Sequence, residues 1–147
     1  MSPSGRPEAI KICYEYSRKA KELRETAPLS EVEKALCDAL AIRFQANKAN
    51  EIEELKKWDD DYADAMRLVY RDFSDDYDVC ALTAEALVVR TPWQLWDLKN
   101  RTPAEGTFTE EAIEIVEKAL RRIEEEKHIP HAGLLHFYIH IMEMSPE

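Results

Sequence analysis

All four histidines of the 147-residue chain stand between positions 128 and 140, in the closing stretch HIPHAGLLHFYIHIMEMSPE. His136 and His140 are four apart, so on a helix their rings share one face, and Glu143 falls between them in angle. Two imidazoles and a carboxylate offer three ligands to a divalent cation such as zinc or iron and leave a position for water or substrate. The chemistry would be water activation, or oxygen chemistry if the metal is iron. Gly133, one turn before His136, leaves an uncovered space beside the rings. His131 lies at the helix start, on the opposite side by angle, and joins the set only if the helix bends there. The competing reading is a histidine pair satisfied within the core, the commoner fate of an imidazole on an apolar face. His128 reads as a solvated helix-end residue.

A second group lies in TPWQLWD. Thr91 is placed to cap a short helix begun by Pro92, which would project Trp93 and Trp96 about a turn apart. Tryptophans so placed either wall a pocket and anchor a partner, or cover a hydrophobic edge of the fold. Trp93, Trp96, Tyr138 and Glu85 form the candidate partner-binding set, with Asp97 and Glu85 able to approach the histidine face. The acidic runs carry less. WDDDYAD lacks the glycine and closing glutamate of a calcium loop. Asp75, Asp76 and Asp78 read as a solvated set at a helix N-terminus, where negative charge is favourable. The chain has no Gly-rich phosphate loop, no nucleophile elbow and no paired-cysteine zinc spacing.

The elements that must position these residues are helical. Apolar residues make up 45% of the chain and charged ones 34%, with only three glycines, which fits one all-α domain large enough to bury a core. A net charge of -10, with the bases interspersed among acids, excludes a nucleic-acid partner. Cys13, Cys37 and Cys80 are widely spaced and odd in number, as expected of reduced, buried thiols inside a cell. MSPSGRPEAI has no apolar core of a signal peptide, and no run is long enough to span a membrane, so a cytoplasmic protein is expected.

Spacing and caps predict six helices. The first covers Pro7 to Glu25, with Ile10, Cys13, Ser17, Ala20 and Leu23 along one stripe. Ser30-x-x-Glu33 is a capping box for the second, which turns Val32, Leu36, Ala39, Leu40 and Phe44 inward. The third follows Asn50, with Ile52, Leu55, Asp59, Tyr62, Met66, Val69 and Phe73 as its stripe. The fourth opens in SDDYD and carries Val79, Leu82, Ala86 and Val89. Thr107-x-x-Glu110 opens the fifth, with Ile113, Val116, Leu120 and Ile123, and Pro130 stands at the start of the sixth.

YADAMRLVYRDFSDDYDVCALTAEAL, from position 62, aligns without gaps on VEKALRRIEEEKHIPHAGLLHFYIHI, from position 116, with a shift of 54 that takes Ala65 to Ala119. The alignment sets His136 and His140 on Leu82 and Ala86, both read as inward-facing. A buried imidazole without partners is costly. The pair therefore calls for a metal or a polar network.

Both copies resemble the junction between successive tetratricopeptide repeats: an aromatic or aliphatic residue, x-x-Ala-Leu/Met, a turn, and a helix rich in Leu and Ala. The usual period is about 34 residues, so an insertion is implied over residues 90–108. The chain from PLSEVEKALCDAL onward also resembles a group of bacterial and fungal tetratricopeptide-repeat proteins with no assigned activity, through the pattern His-x-Gly-x-x-His-x-Tyr-Ile-His-x-x-Glu-x-Ser-Pro. Members of that group usually have Pro where Ala132 stands, and they continue into further histidine-containing helices. The resemblance implies stacked antiparallel helix pairs in an α-solenoid over residues 1–147, either a fragment of a longer solenoid or a short relative that covers its open end by self-association. It also implies a module that receives a protein or peptide on its concave face, the alternative being a metal-binding protein or metal-dependent enzyme built on the last helix.

Overall fold

The computed structural model describes residues 7–49 and 51–146. Among these it has six helices, α1 (Pro7–Leu23), α2 (Glu31–Arg43), α3 (Ile52–Phe73), α4 (Tyr77–Val88), α5 (Thr109–Glu125) and α6 (Ala132–Met142), and one short ribbon of β1 (Trp96–Asp97) with β2 (Thr102–Pro103). The chain is therefore all-α in class. It divides into two compact units, Met1–Val69 and Tyr70–Glu147. No described helix is long and apolar enough to cross a membrane.

In the first unit α1 packs on α2. Ser17 is buried, its hydroxyl donating to the Tyr14 carbonyl at 2.9 Å. The α1 stripe ends sooner than its spacing implies: Leu23 is 49% exposed, and its carbonyl closes the helix by accepting from Thr26 and Ala27. The Ser30 capping box is present, with the Ser30 N–H donating to Glu33 Oε2 at 2.7 Å. Arg18 donates to the Ala41 and Phe44 carbonyls, and Arg24 pairs with Asp38. Within this unit the Arg43 guanidinium lies 4.8 Å from the Tyr62 ring centre. Asn50, expected to open α3, lies outside the described residues. Along α3, Tyr62, Met66 and Val69 are buried as expected, while Ile52 is exposed and Trp58, Ala63 and Ala65 join the buried face instead.

In the second unit α4 packs on both α5 and α6, which also pack on each other. Seven of the twelve α4 residues are buried, most of them Ala, Val, Thr or Cys, so neighbouring backbones approach from more than one side. From α5 the core takes Ala112, Ile115, Val116, Ala119 and Ile123. This face is rotated from the expected Ile113–Leu120 line because α5 has two neighbours to cover. Leu134 and Ile141 of α6 are fully buried, each worth about 1.5–3 kcal/mol of transfer free energy.

Three helix ends differ from the sequence reading. Thr107 does not cap α5. Its hydroxyl donates to the Ala104 carbonyl at 2.7 Å, and Phe108 occupies the cap position without a side-chain bond. Pro130 precedes the cap of α6 rather than opening the helix, and His131 takes the cap. The acidic set before α4 is not merely solvated: Asp76 caps Val79, Asp75 pairs with Arg122 at 2.8 Å, and Asp78 meets His131. α5 ends with Lys127 at φ 56, its N–H on the Glu124 carbonyl and the His128 N–H on that of Ile123, so a lysine fills the left-handed position that glycine usually takes.

The insertion holds no short helix. Thr91 N–H turns back to the Val88 carbonyl, Trp93 takes φ 64, and the chain enters the ribbon, with Trp96 opposite Pro103 and Asp97 opposite Thr102. Asp97 shapes the ribbon turn: Oδ1 accepts from the Lys99 and Asn100 N–H groups and Oδ2 from the Asn100 amide. A fully buried Thr109 fixes the far side, its hydroxyl donating to the Leu95 carbonyl at 2.9 Å.

Candidate functional site

Helix α6 begins with His131, whose Nδ1 accepts from the Leu134 N–H at 3.3 Å while Nε2 meets Asp78 Oδ1 at 3.1 Å. Both ring nitrogens are thus engaged at the N-terminus, and His131 does not join His136 and His140. Gly133 serves the same end of the helix. A Cβ there would stand 3.1 Å from His131 Cε1 and 3.4 Å from Ala81 Cβ, so the absent side chain admits the capping ring and α4. It is not a gap beside the His136 and His140 rings.

His136 and His140 are on one face as the spacing requires, their ring centres 4.6 Å apart and nearly perpendicular. They are solvent-exposed, contrary to the inward placement taken from Leu82 and Ala86. The internal alignment misled because α4 is buried on several sides, whereas α6 buries only Leu134 and Ile141. A matching register therefore does not imply matching burial. Leu135 and Ile139 share the exposed side of α6, at 42% and 64% exposure. His140 Nδ1 stands 3.7 Å from Glu143 Oε1. No group of three His, Cys, Asp or Glu side chains among the described residues is placed to hold a metal ion.

Beside this face, α4, the Trp93 turn and α6 enclose a hollow of about 200 Å³. Its apolar lining comes from Val88, Val89, Leu95 and Phe137, with Pro92 and Trp93 from the turn. Its ionisable lining is Glu85, His140 and Glu143. The Trp93 indole is 71% exposed and meets the His140 ring edge-on at 6.5 Å. A tryptophan with positive φ and little burial is strained without a packing return, a combination that recurs at binding sites. Trp96 lines a smaller adjoining recess with Met144 and donates its indole N–H to the Ile141 carbonyl at 2.6 Å. Arg101 clasps the same end through the Pro146 carbonyl.

The structure thus brings together Glu85, Trp93, His140 and Glu143 of the expected site residues, with Trp96 next door. Tyr138 is elsewhere, its hydroxyl donating to Glu117 Oε1 at 3.0 Å and tying α6 to α5. Val88, Val89, Leu95 and Phe137 were missed. The signal for the first two was the apolar run Leu87-Val88-Val89, which continues past what one buried helix face needs. His128 is exposed at the α5 end, as expected, 3.3 Å from Glu126. All three cysteines are free, but only Cys80 is buried, with Cys13 and Cys37 half-buried. No protein-family model matches the chain, and neither does any curated protein or solved structure.

Proposed function

We propose that the chain is a tetratricopeptide-like helical repeat module that binds a protein or peptide segment, acting in the cytoplasm. The observation that carries this reading is the hollow beside Trp93, large enough for one aromatic or branched side chain and lined mainly by apolar groups. Trp93 lines this hollow and is exposed, and tryptophan is enriched among the residues that carry binding energy at protein interfaces. Three free thiols suit a reducing compartment. The test is selection of random twelve-residue peptides on the immobilised protein. A consensus containing a large apolar residue should emerge, and the selected peptides should bind the Trp93→Ala variant at least about tenfold more weakly. A selection without consensus, or peptides indifferent to Trp93→Ala, would remove this reading.

A second reading, a metal-binding function, has one observation in its favour. His136, His140 and Glu143 follow one another along an open helix face, with 3.7 Å between His140 Nδ1 and Glu143 Oε1. Rotation of the exposed rings would let both imidazoles and the carboxylate meet a divalent cation such as zinc or iron, which would then supply Lewis acidity. Titration of tag-free protein with zinc should shift the His136 and His140 ring proton resonances together at one equivalent. A His136→Ala/His140→Ala variant that takes up as much zinc as wild type rules the site out.

A further inference from the structure

We propose that the hollow takes an arginine or lysine side chain of the partner peptide, presented beside an apolar residue; this rests on the reading of the hollow as a peptide site. Its ionisable lining is Glu85, Glu143 and His140, without a lysine or arginine. The Glu143 carboxylate stands 3.7 Å from His140 Nδ1, beyond hydrogen-bond length, and keeps acceptor capacity for an incoming donor. Trp93 and Phe137 add aromatic rings to the lining, and an indole ring can attract a cation over its face.

The two kinds of lining call for one kind of side chain. An arginine or lysine lays its methylene stem along apolar groups such as Val88 and Val89 while its head reaches a carboxylate. A neutral apolar side chain would fill the space but offer no donor to the Glu143 carboxylate. An acidic one would be repelled. Charge at longer range acts the same way, because a chain of net charge -10 attracts a basic segment and repels a second copy of itself.

Four acetylated nonapeptides test this, identical except that the central residue, between two leucines, is Arg, Lys, Gln or Glu. Binding is followed by calorimetry and by the amide resonances of Trp93 and Leu95. The Arg and Lys peptides should bind at least about tenfold more tightly than the Gln peptide, with a preference that shrinks as salt rises, and the Glu peptide should be weakest. Glu143→Gln should reduce the Arg-over-Gln preference about three- to tenfold and leave the Gln peptide's affinity unchanged. Equal binding of the Arg and Gln peptides, or a preference untouched in Glu143→Gln, overturns the basic occupant while leaving a peptide site in place. If none of the four peptides and no selected peptide moves the Trp93 and Leu95 resonances, the peptide site itself falls. A concentration-dependent dimer in sedimentation that is lost in Trp93→Ala would put a second copy in the hollow and overturn the proposal.

Discussion

Trp96 donates its indole N–H to the carbonyl of Ile141 at 2.6 Å. Ile141 lies in the last turn of α6, where carbonyls have no partner within the helix. A residue of the insertion therefore closes the end of the helix that carries His136 and His140. Trp96→Phe removes the donor together with the five-membered half of the indole, leaving a smaller ring in the recess. It should cost about 1–2 kcal/mol in urea unfolding and broaden the amide resonances of Glu143 and Met144. A variant as stable as wild type would show that water replaces the indole N–H without loss.

His131 should behave as a helix cap. His131→Ala removes the acceptor for the Leu134 N–H and should cost about 1–2 kcal/mol. Asparagine caps well but is too short to keep the contact with Asp78, an exposed pair worth little by itself. His131→Asn should therefore fall within about 0.5 kcal/mol of wild type. Thermal unfolding of both variants separates the roles, and equal losses for Ala and Asn would refute the cap.

The helices were legible because their signals are local. The Ser30 box and the 3.6-residue spacing in α1 to α6 concern neighbours in the chain, and the observed elements follow them to within a few residues. The site was only half legible, for a physical reason. Whether His136 faces core or solvent depends on how many helices cover α6, and no residue of α6 records that number. The Trp93 turn escaped in the same way, since Thr91 and Pro92 fit a helix start as well as they fit a turn. What chose the turn lies farther along the chain, where the Leu95 carbonyl accepts from Thr109 and from the Ala104 N–H.

The ribbon turn should weaken in acid. The Asn100 N–H, then the Asn100 side-chain amide, hold the Asp97 carboxyl below its ordinary range, with the Lys99 N–H adding to them. A carboxylate whose folded value is depressed contributes stability that is present above its unfolded value and is lost as pH falls through the folded one. The amide resonances of Lys99 and Asn100 should therefore move together below about pH 4, with a midpoint under that of an unstructured Asp peptide. Asp97→Asn should flatten both curves. Midpoints equal to the peptide's would mean that the turn does not hold the carboxylate.

Cys80 should be the slow thiol. Burial pushes it up in pKa, and its sulfur donates to the Ser74 carbonyl at 3.3 Å. The thiolate is the reactive form, so both effects protect it. In native protein a disulfide reagent should label the half-buried Cys13 and Cys37 at least about tenfold faster than Cys80, with Cys80 reached only on unfolding. Peptide mapping of a partial reaction decides it, and early label at Cys80 would mean that α4 opens locally.

The Trp93 substitution sets stability against binding. Holding a bulky residue at φ 64 costs about 1 kcal/mol, and an indole that is 71% exposed recovers little of it by packing. Glycine adopts that backbone readily, although it gives up more freedom on folding. Trp93→Gly should raise unfolding stability by about 0.5–1 kcal/mol while weakening selected peptides at least about tenfold. Trp93→Ala, which keeps the strain and loses the ring, should weaken the peptides as much without the gain in stability. The three proteins together separate backbone from side chain. If Trp93→Gly proves less stable than wild type, the indole packs for the fold rather than for a partner, and the tryptophan would be the cover of a hydrophobic edge.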